Sequence, residues 1–270
     1  MKLDYPLLFE SNWHPALWGG ESWEISAHEA GPGVVANGPL KGVSLRELLP
    51  DFPLLFKVID AKTRLSVQVH PNERTRLVTG GDPKTEMWCL LNDGCIFAGL
   101  REGVKSDEVE AAVKSGRFEE LLVRHDAKAG DVFFIPGGLV HAIGDGTRLY
   151  EVQQNSNTTF RLYDWGRVGA DGKPRQLHVA ESLQAIDYAL GAPKAETSAC
   201  CPFFSFRAVD VAGSLALPAR ADSFTALYAA RGSAAVNGVA LAEGASMLVP
   251  AGLDMSIEPN GSARLFVTTK

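Results

Sequence analysis

Short apolar runs, cut by glycine, proline and polar turns, dominate the chain. Residues 53–60 read PLLFKVID, 65–70 LSVQVH, 86–91 EMWCLL, 131–135 DVFFI and 148–153 RLYEVQ. Each has strand length, and turn residues bound most of them. This pattern predicts a mainly β protein, a barrel or a sandwich. Three stretches switch to helical spacing. Ser44 through Glu47 forms a capping-box pattern ahead of Leu48 and Leu49, with Pro50 as the stop. Residues 106–123 carry Val109, Ala112, Val113, Phe118, Leu121 and Leu122 on one side, with Ser106 as the expected N-cap and Gly116 as an expected break. Residues 178–190 place Val179, Leu183, Ile186 and Leu190 on a third apolar face.

The polar stretch 191–197 reads as a linker. It divides the chain into an expected first domain, 1–190 with a helical insertion, and a second, 191–270. One echo joins the two parts. GDVFFIPGGLVH runs from Gly130 to His141, and GASMLVPAGLDM from Gly244 to Met255. Both follow the order glycine, apolar strand, proline, small turn, which suggests two copies of one barrel unit. Where the first copy has His141, the second has Met255.

Composition narrows the function classes. The chain has 270 residues with a net charge of -6 and no basic tract, which argues against a nucleic-acid or anionic-membrane partner. No apolar run approaches the ~18 residues of a membrane span, and the first residues lack the apolar core of a secretory signal. The four cysteines, Cys89, Cys95, Cys200 and Cys201, form no CxxC, so they read as buried small hydrophobes in a reducing cytoplasm.

Candidate chemistry gathers at a few polar residues within apolar strands. Gln68 and His70 share one strand face, while Val67 and Val69 take the other. His141 follows the tight turn Pro136-Gly137-Gly138, and Glu86 opens another strand. Two imidazoles, a carboxylate and an amide oxygen make a mixed N/O ligand set that suits zinc, with iron, manganese and cobalt as alternatives. The competing reading is that each histidine is a hydrogen-bonded structural residue. His14, His28, His125 and His178 read as structural or solvated. Residues 151–167, EVQQNSNTTFRLYDWGR, pack many polar groups into a short space. They read either as an exposed edge or as a wall for a polyol or phosphate, with Arg161 as the guanidinium that holds an oxyanion.

These motifs, in this order, resemble class I mannose-6-phosphate isomerases of the short bacterial form. LWGG at 17–20, ESWEISAH at 21–28, LSVQVHP at 65–71, KTEMW at 84–88, IPGG at 135–138 with HAI at 141–143, and the run from Gln153 to Arg167 carry the resemblance. It covers most of the first 190 residues. It implies a cupin fold of two jelly-roll barrels with a few short helices, the first holding one zinc ion and the second degenerate. It implies Gln68, His70, Glu86 and His141 as metal ligands, and Arg161 and Lys84 as catalytic and substrate-binding residues. The implied reaction interconverts mannose 6-phosphate and fructose 6-phosphate through a cis-enediol in the cytoplasm. The implied partner is a small hexose phosphate, with no nucleic acid and no membrane. Lys84 either relays protons between the sugar oxygens or binds phosphate. Asp164 and Glu151 are both open as the base at carbon. A non-catalytic sugar-phosphate-binding cupin, or a metal cupin with another substrate, is the alternative. The chain departs from the resemblance where Gly20 runs straight into Glu21, so a loop over the pocket is expected to be absent.

Overall fold

The computed structural model describes residues 3–169 and 172–270. Contacts divide the chain into two compact units, Trp13–Ser22 with Lys57–Glu196, and Met1–Asn12 with Trp23–Phe56 and Thr197–Lys270. The expected boundary at 190/191 lies close to the join at 196/197. The expected first domain of 1–190 differs more at its other end, since residues 3–12 and 23–56 group with the C-terminal strands. The reason is local: Leu7–Leu8 pairs with residues 247–248, and the ring of Phe52 packs 4.6 Å from that of Phe224.

The unit containing Lys57–Glu196 is built on two antiparallel sheets. One has the strand order Trp13–Ala16, Gly19–Ile25, Leu54–Ala61, Arg148–Gln154, Glu86–Leu90, Val132–Ile135. The other runs Phe160–Tyr163, Val67–Val69, His141–Ile143, Gly94–Leu100, Leu122–Ala127. The five strand runs read from the sequence all appear, within two residues at each end. Side chains alternate between faces along each strand. Ile96, Ala98 and Ile143 of the five-stranded sheet share one buried cluster with Trp88, Leu90, Phe133 and Leu149 of the other. The opposite face of the five-stranded sheet, with Val67, Val69, Phe97 and Leu162, is covered by Val109, Phe118, Ala185 and Ile186 of the helical segments. Each such aliphatic or aromatic side chain contributes about 2 kcal/mol by leaving water.

The helices are shorter than their apolar spacing suggested. Ser44 caps Leu45–Leu48 with the full capping box. The helix expected over 106–123 is Ser106–Ser115, capped by Lys105 rather than Ser106. Gly116 ends it in the left-handed region at φ 70, a short 3-10 turn covers Phe118–Leu121, and a strand begins at Leu122. The third helix is confined to Val179–Ala185. Cys89 and Cys95 are buried as expected, but Cys200 is exposed and Cys201 half-buried on and beside an edge strand, so that reading holds for the first pair alone.

The other unit repeats the strand plan. Its six-stranded sheet runs Leu7–Leu8, Ser246–Val249, Thr225–Arg231, Ala263–Thr269, Ser205–Val211, Ser198–Cys200. Its four-stranded sheet runs Leu215–Leu217, Met255–Pro259, Ala234–Val236, Val239–Leu241. Met255–Pro259 thus lies between its neighbours as His141–Ile143 does in the first plan. The echo in sequence is an echo in backbone too. Gly130 and Gly244 take φ 96 and 78, and Gly138 and Gly252 take φ 99 and 75, values that side chains other than glycine's strain to adopt. Among the described residues, no helix is long and apolar enough to cross a membrane.

Candidate metal centre

His70, Glu86 and His141 come from three different strand ends and converge inside the Lys57–Glu196 unit. Their ligand atoms all lie within 4.8 Å of one another, and all three residues are buried. The turn after Pro136 places the second histidine. Gly138 N–H donates to the carbonyl of His70 at 2.8 Å, which ties the two ligand segments together. A Cβ on Gly137 would stand 2.6 Å from the Pro71 carbonyl, so this close approach needs glycine. Glu86 enters from the facing sheet, opposite Ile135 on one side and Gln153 on the other.

The protonation pattern sets what this cluster can hold. His141 Nδ1 is 2.8 Å from the carbonyl of Leu139, a bond only Nδ1–H can make, so Nε2 presents its lone pair. That lone pair points into a space shared with His70 Nε2 at 3.1 Å and Glu86 Oε1 at 3.5 Å. Glu86 Oε1 is buried and accepts no hydrogen bond. Burial, with Lys84 and His141 next, holds the His70 pKa well below the imidazole range, and burial lowers that of His141 to about 4. Both rings are therefore neutral donors. Two neutral imidazole nitrogens and a carboxylate oxygen converging in a dry space, beside the Lys84 ammonium, are a donor set that fits a divalent metal.

A second layer of charge surrounds them. Lys84 Nζ stands 2.7 Å from Glu86 Oε2, 3.1 Å from His70 Nε2 and 3.9 Å from Glu151 Oε1. Lys57 Nζ lies between Glu21 at 3.3 Å and Glu151 at 3.5 Å. Burial works against the charge on Lys84, but Glu151 and Glu86 outweigh it and raise the ammonium's pKa. Burial likewise opposes the charge on Glu151, and Lys84 and Lys57 outweigh it and lower the carboxyl's pKa. Burial and then Glu151 push Glu86 up to about 7, a strain that a bound cation relieves. Glu151 Oε2 accepts the indole N–H of Trp88 at 2.8 Å, whereas Oε1 is buried without a hydrogen bond.

Gln68 and Arg161 occupy the facing sheet. Gln68 lies directly opposite both His141 and Arg161 in the ladder, so the three side chains share a face. Gln68 is half-buried where its neighbours Val67 and Val69 are fully buried. Arg161 Nη1 donates to the Gln176 carbonyl at 2.9 Å, and its buried Nε has no partner. Burial, then Arg175, lowers its pKa.

Asp164 is not at this centre. Arg175 holds both its oxygens, at 2.7 and 2.5 Å, and Arg167 shares one at 2.5 Å. It is a clamp joining the loop after Phe160–Tyr163 to Arg175, which removes it from the two open choices of base. The other histidines are structural where contacts define them. His28 Nδ1 accepts from Ala30 N–H, His125 Nε2 meets the Ala98 carbonyl, and His178 Nδ1 accepts from Arg161 N–H. Sequence reasoning passed over Lys57 and took Trp88 and Gln153 only as motif members without a role. A lysine inside the apolar run PLLFKVID was the available signal for the first.

The arrangement matches a known family. Residues 14–87 match the sequence profile of the phosphomannose isomerase type I catalytic domain. Mannose-6-phosphate isomerase ManA of Bacillus subtilis (strain 168) is 38% identical over 215 residues, covering 67% of this chain and 68% of that protein. The mannose-6-phosphate isomerase of Streptococcus mutans is 36% identical over 226 residues, 72% of this chain and 71% of that one. Among solved structures, a mannose 6-phosphate isomerase from Bacillus subtilis superposes with a TM-score of 0.87 at 28% identity, over 98% of this chain and 99% of that one.

Proposed function

The chain belongs to the type I phosphomannose isomerase family, and from that premise we propose that it interconverts mannose 6-phosphate and fructose 6-phosphate through a cis-enediol. The metal is zinc, held by Gln68, His70, Glu86 and His141. The convergence of the His70, Glu86 and His141 lone pairs beside the Lys84 ammonium carries the reading. When bound there, zinc supplies Lewis-acid polarisation of the sugar's oxygens without redox chemistry.

The chain's own residues do the rest. The reaction moves one proton from C2 to C1 of the open-chain sugar. Glu151 Oε1 is the group suited to take it, being ionised, dry and unbonded, while Asp164 is committed to its arginines. Lys84 exchanges the hydroxyl proton between O1 and O2, and its ammonium offsets charge on the enediolate. Arg161, on the same face as Gln68 and His141, holds the anionic end of the substrate. Burial of His70, Glu86, His141, Lys84 and Glu151 limits bulk water at the enediol.

The test is turnover of mannose 6-phosphate by purified protein before chelation, after it, and with zinc restored. Activity that vanishes and returns supports reaction and metal together. A zinc-restored protein that turns over no hexose phosphate sinks the isomerase reading and leaves a binding protein.

A further inference from the structure

We propose that Trp88 is a positioning residue for the isomerisation, holding Glu151 through its indole N–H so that Oε1 alone serves as the working oxygen. The inference rests on the reading of Glu151 as the proton acceptor. Trp88 and Glu151 face each other across adjacent strands, so their side chains share one face. Both are buried, Trp88 at 0% exposure. The indole has a single donor and no acceptor, and it spends that donor on Glu151 Oε2 at 2.8 Å.

The consequence is an asymmetric carboxylate. Oε2 is anchored, and Oε1 is left between Lys57 at 3.5 Å and Lys84 at 3.9 Å with no hydrogen bond. Without the indole, the carboxylate is free to turn either oxygen to either ammonium, and a bonded oxygen is a poorer proton acceptor. Trp88 also meets the metal centre. Its ring stands edge-on to His141, with centroids 5.3 Å apart and planes at 80°. One rigid ring therefore spaces the proposed base from a proposed metal ligand, at the rigidity that proton transfer over a fixed distance requires.

A buried indole needs a hydrogen-bond partner for stability alone, so the test must separate support of the fold from support of Glu151. Trp88→Phe removes the N–H and some volume. Replacing Trp88 with β-(3-benzothienyl)alanine removes the N–H and keeps the shape, which covers the case where the phenylalanine variant fails to fold. Both should lower kcat by about tenfold or more, with KM within about threefold and zinc content unchanged. In a Glu151→Gln background the same changes should cost nothing further in kcat, because their route of action is already gone. Wild-type kcat in the isosteric variant overturns the proposal, as does an equal fall in the Glu151→Gln background. If the wild-type protein itself shows no turnover, it is the isomerase reading that fails, and the two failures are distinct.

Discussion

The two barrels share a strand plan and differ in what stands at three places on it. In the Lys57–Glu196 unit, Glu86 opens its strand opposite Ile135 and Gln153, toward the far ends of its two antiparallel neighbours, and His141 lies opposite Gln68. At the corresponding ladder positions of the C-terminal strands, Thr225 lies between Val249 and Thr269, and Met255 lies opposite Leu217. Glutamate, histidine and glutamine thus become threonine, methionine and leucine. The interior follows. The C-terminal core, from Val211 through Val267, is an apolar cluster that takes in Met255, with the buried Thr225 opposite its member Val249. The first barrel is apolar only at one end, around Trp88, Leu90 and Leu149, and ionic at the other. A backbone plan sets where side chains point. It does not set whether they are charged, and a dry charged cluster persists only where its charges balance.

The comparison yields changes of graded severity. Putting the C-terminal residue into the first barrel, His141→Met, should remove the proposed zinc and lower activity by about 10³-fold or more, read by metal analysis and turnover. A variant retaining full metal would separate His141 from the centre. Arg161→Ala should keep the metal and lower kcat/KM by about 10²-fold; loss of zinc in that variant would assign Arg161 to the fold instead. The reverse exchange, Met255→His, buries an imidazole among apolar neighbours. It should cost about 3 kcal/mol in urea unfolding and bind no second metal, and unchanged stability would contradict the apolar interior. Asp164→Asn should cost about 2 kcal/mol, since the acid is buried but its arginines are partly in water. Arg175 and Arg167 outweigh burial and hold this carboxyl below its ordinary range. Its contribution is therefore complete above the unfolded carboxylate pKa of about 4 and fades as pH falls through the lower folded value. The gap between wild type and variant should close on acidification, and a gap that widens would reverse the assignment. The mildest change, Met255→Leu, should cost under about 1.5 kcal/mol and leave turnover intact.

Much of the proposed site was legible in the sequence because the proposed metal ligands are polar residues in strands that are otherwise apolar. Gln68 and His70 stand out against Val67 and Val69, and Glu86 against Met87 and Trp88. The same contrast should have marked Lys57, but a lysine reads as surface until a partner is known, and its partners lie far along the chain. Asp164 and Glu151 could not be ranked from the sequence, since both are acids in one polar run. Their difference lies in neighbours: arginines from residues 167 and 175 for one, the indole of Trp88 and two buried lysines for the other.

By itself the sequence determined the alternation that makes the strands, the glycines that permit the turns at 130, 138, 244 and 252, and the residue types suited to binding a metal. These are local properties, fixed by side-chain chemistry and backbone sterics over a few residues. Only the tertiary structure decided that the N-terminal strand Leu7–Leu8 pairs with residues 247–248, that Asp164 is a clamp, and that Glu151 has one oxygen hydrogen-bonded to Trp88 and one without a hydrogen bond. Each depends on which distant residue arrives alongside, and closing the chain over tens of residues is settled by the packing of whole sheets rather than by any local pattern.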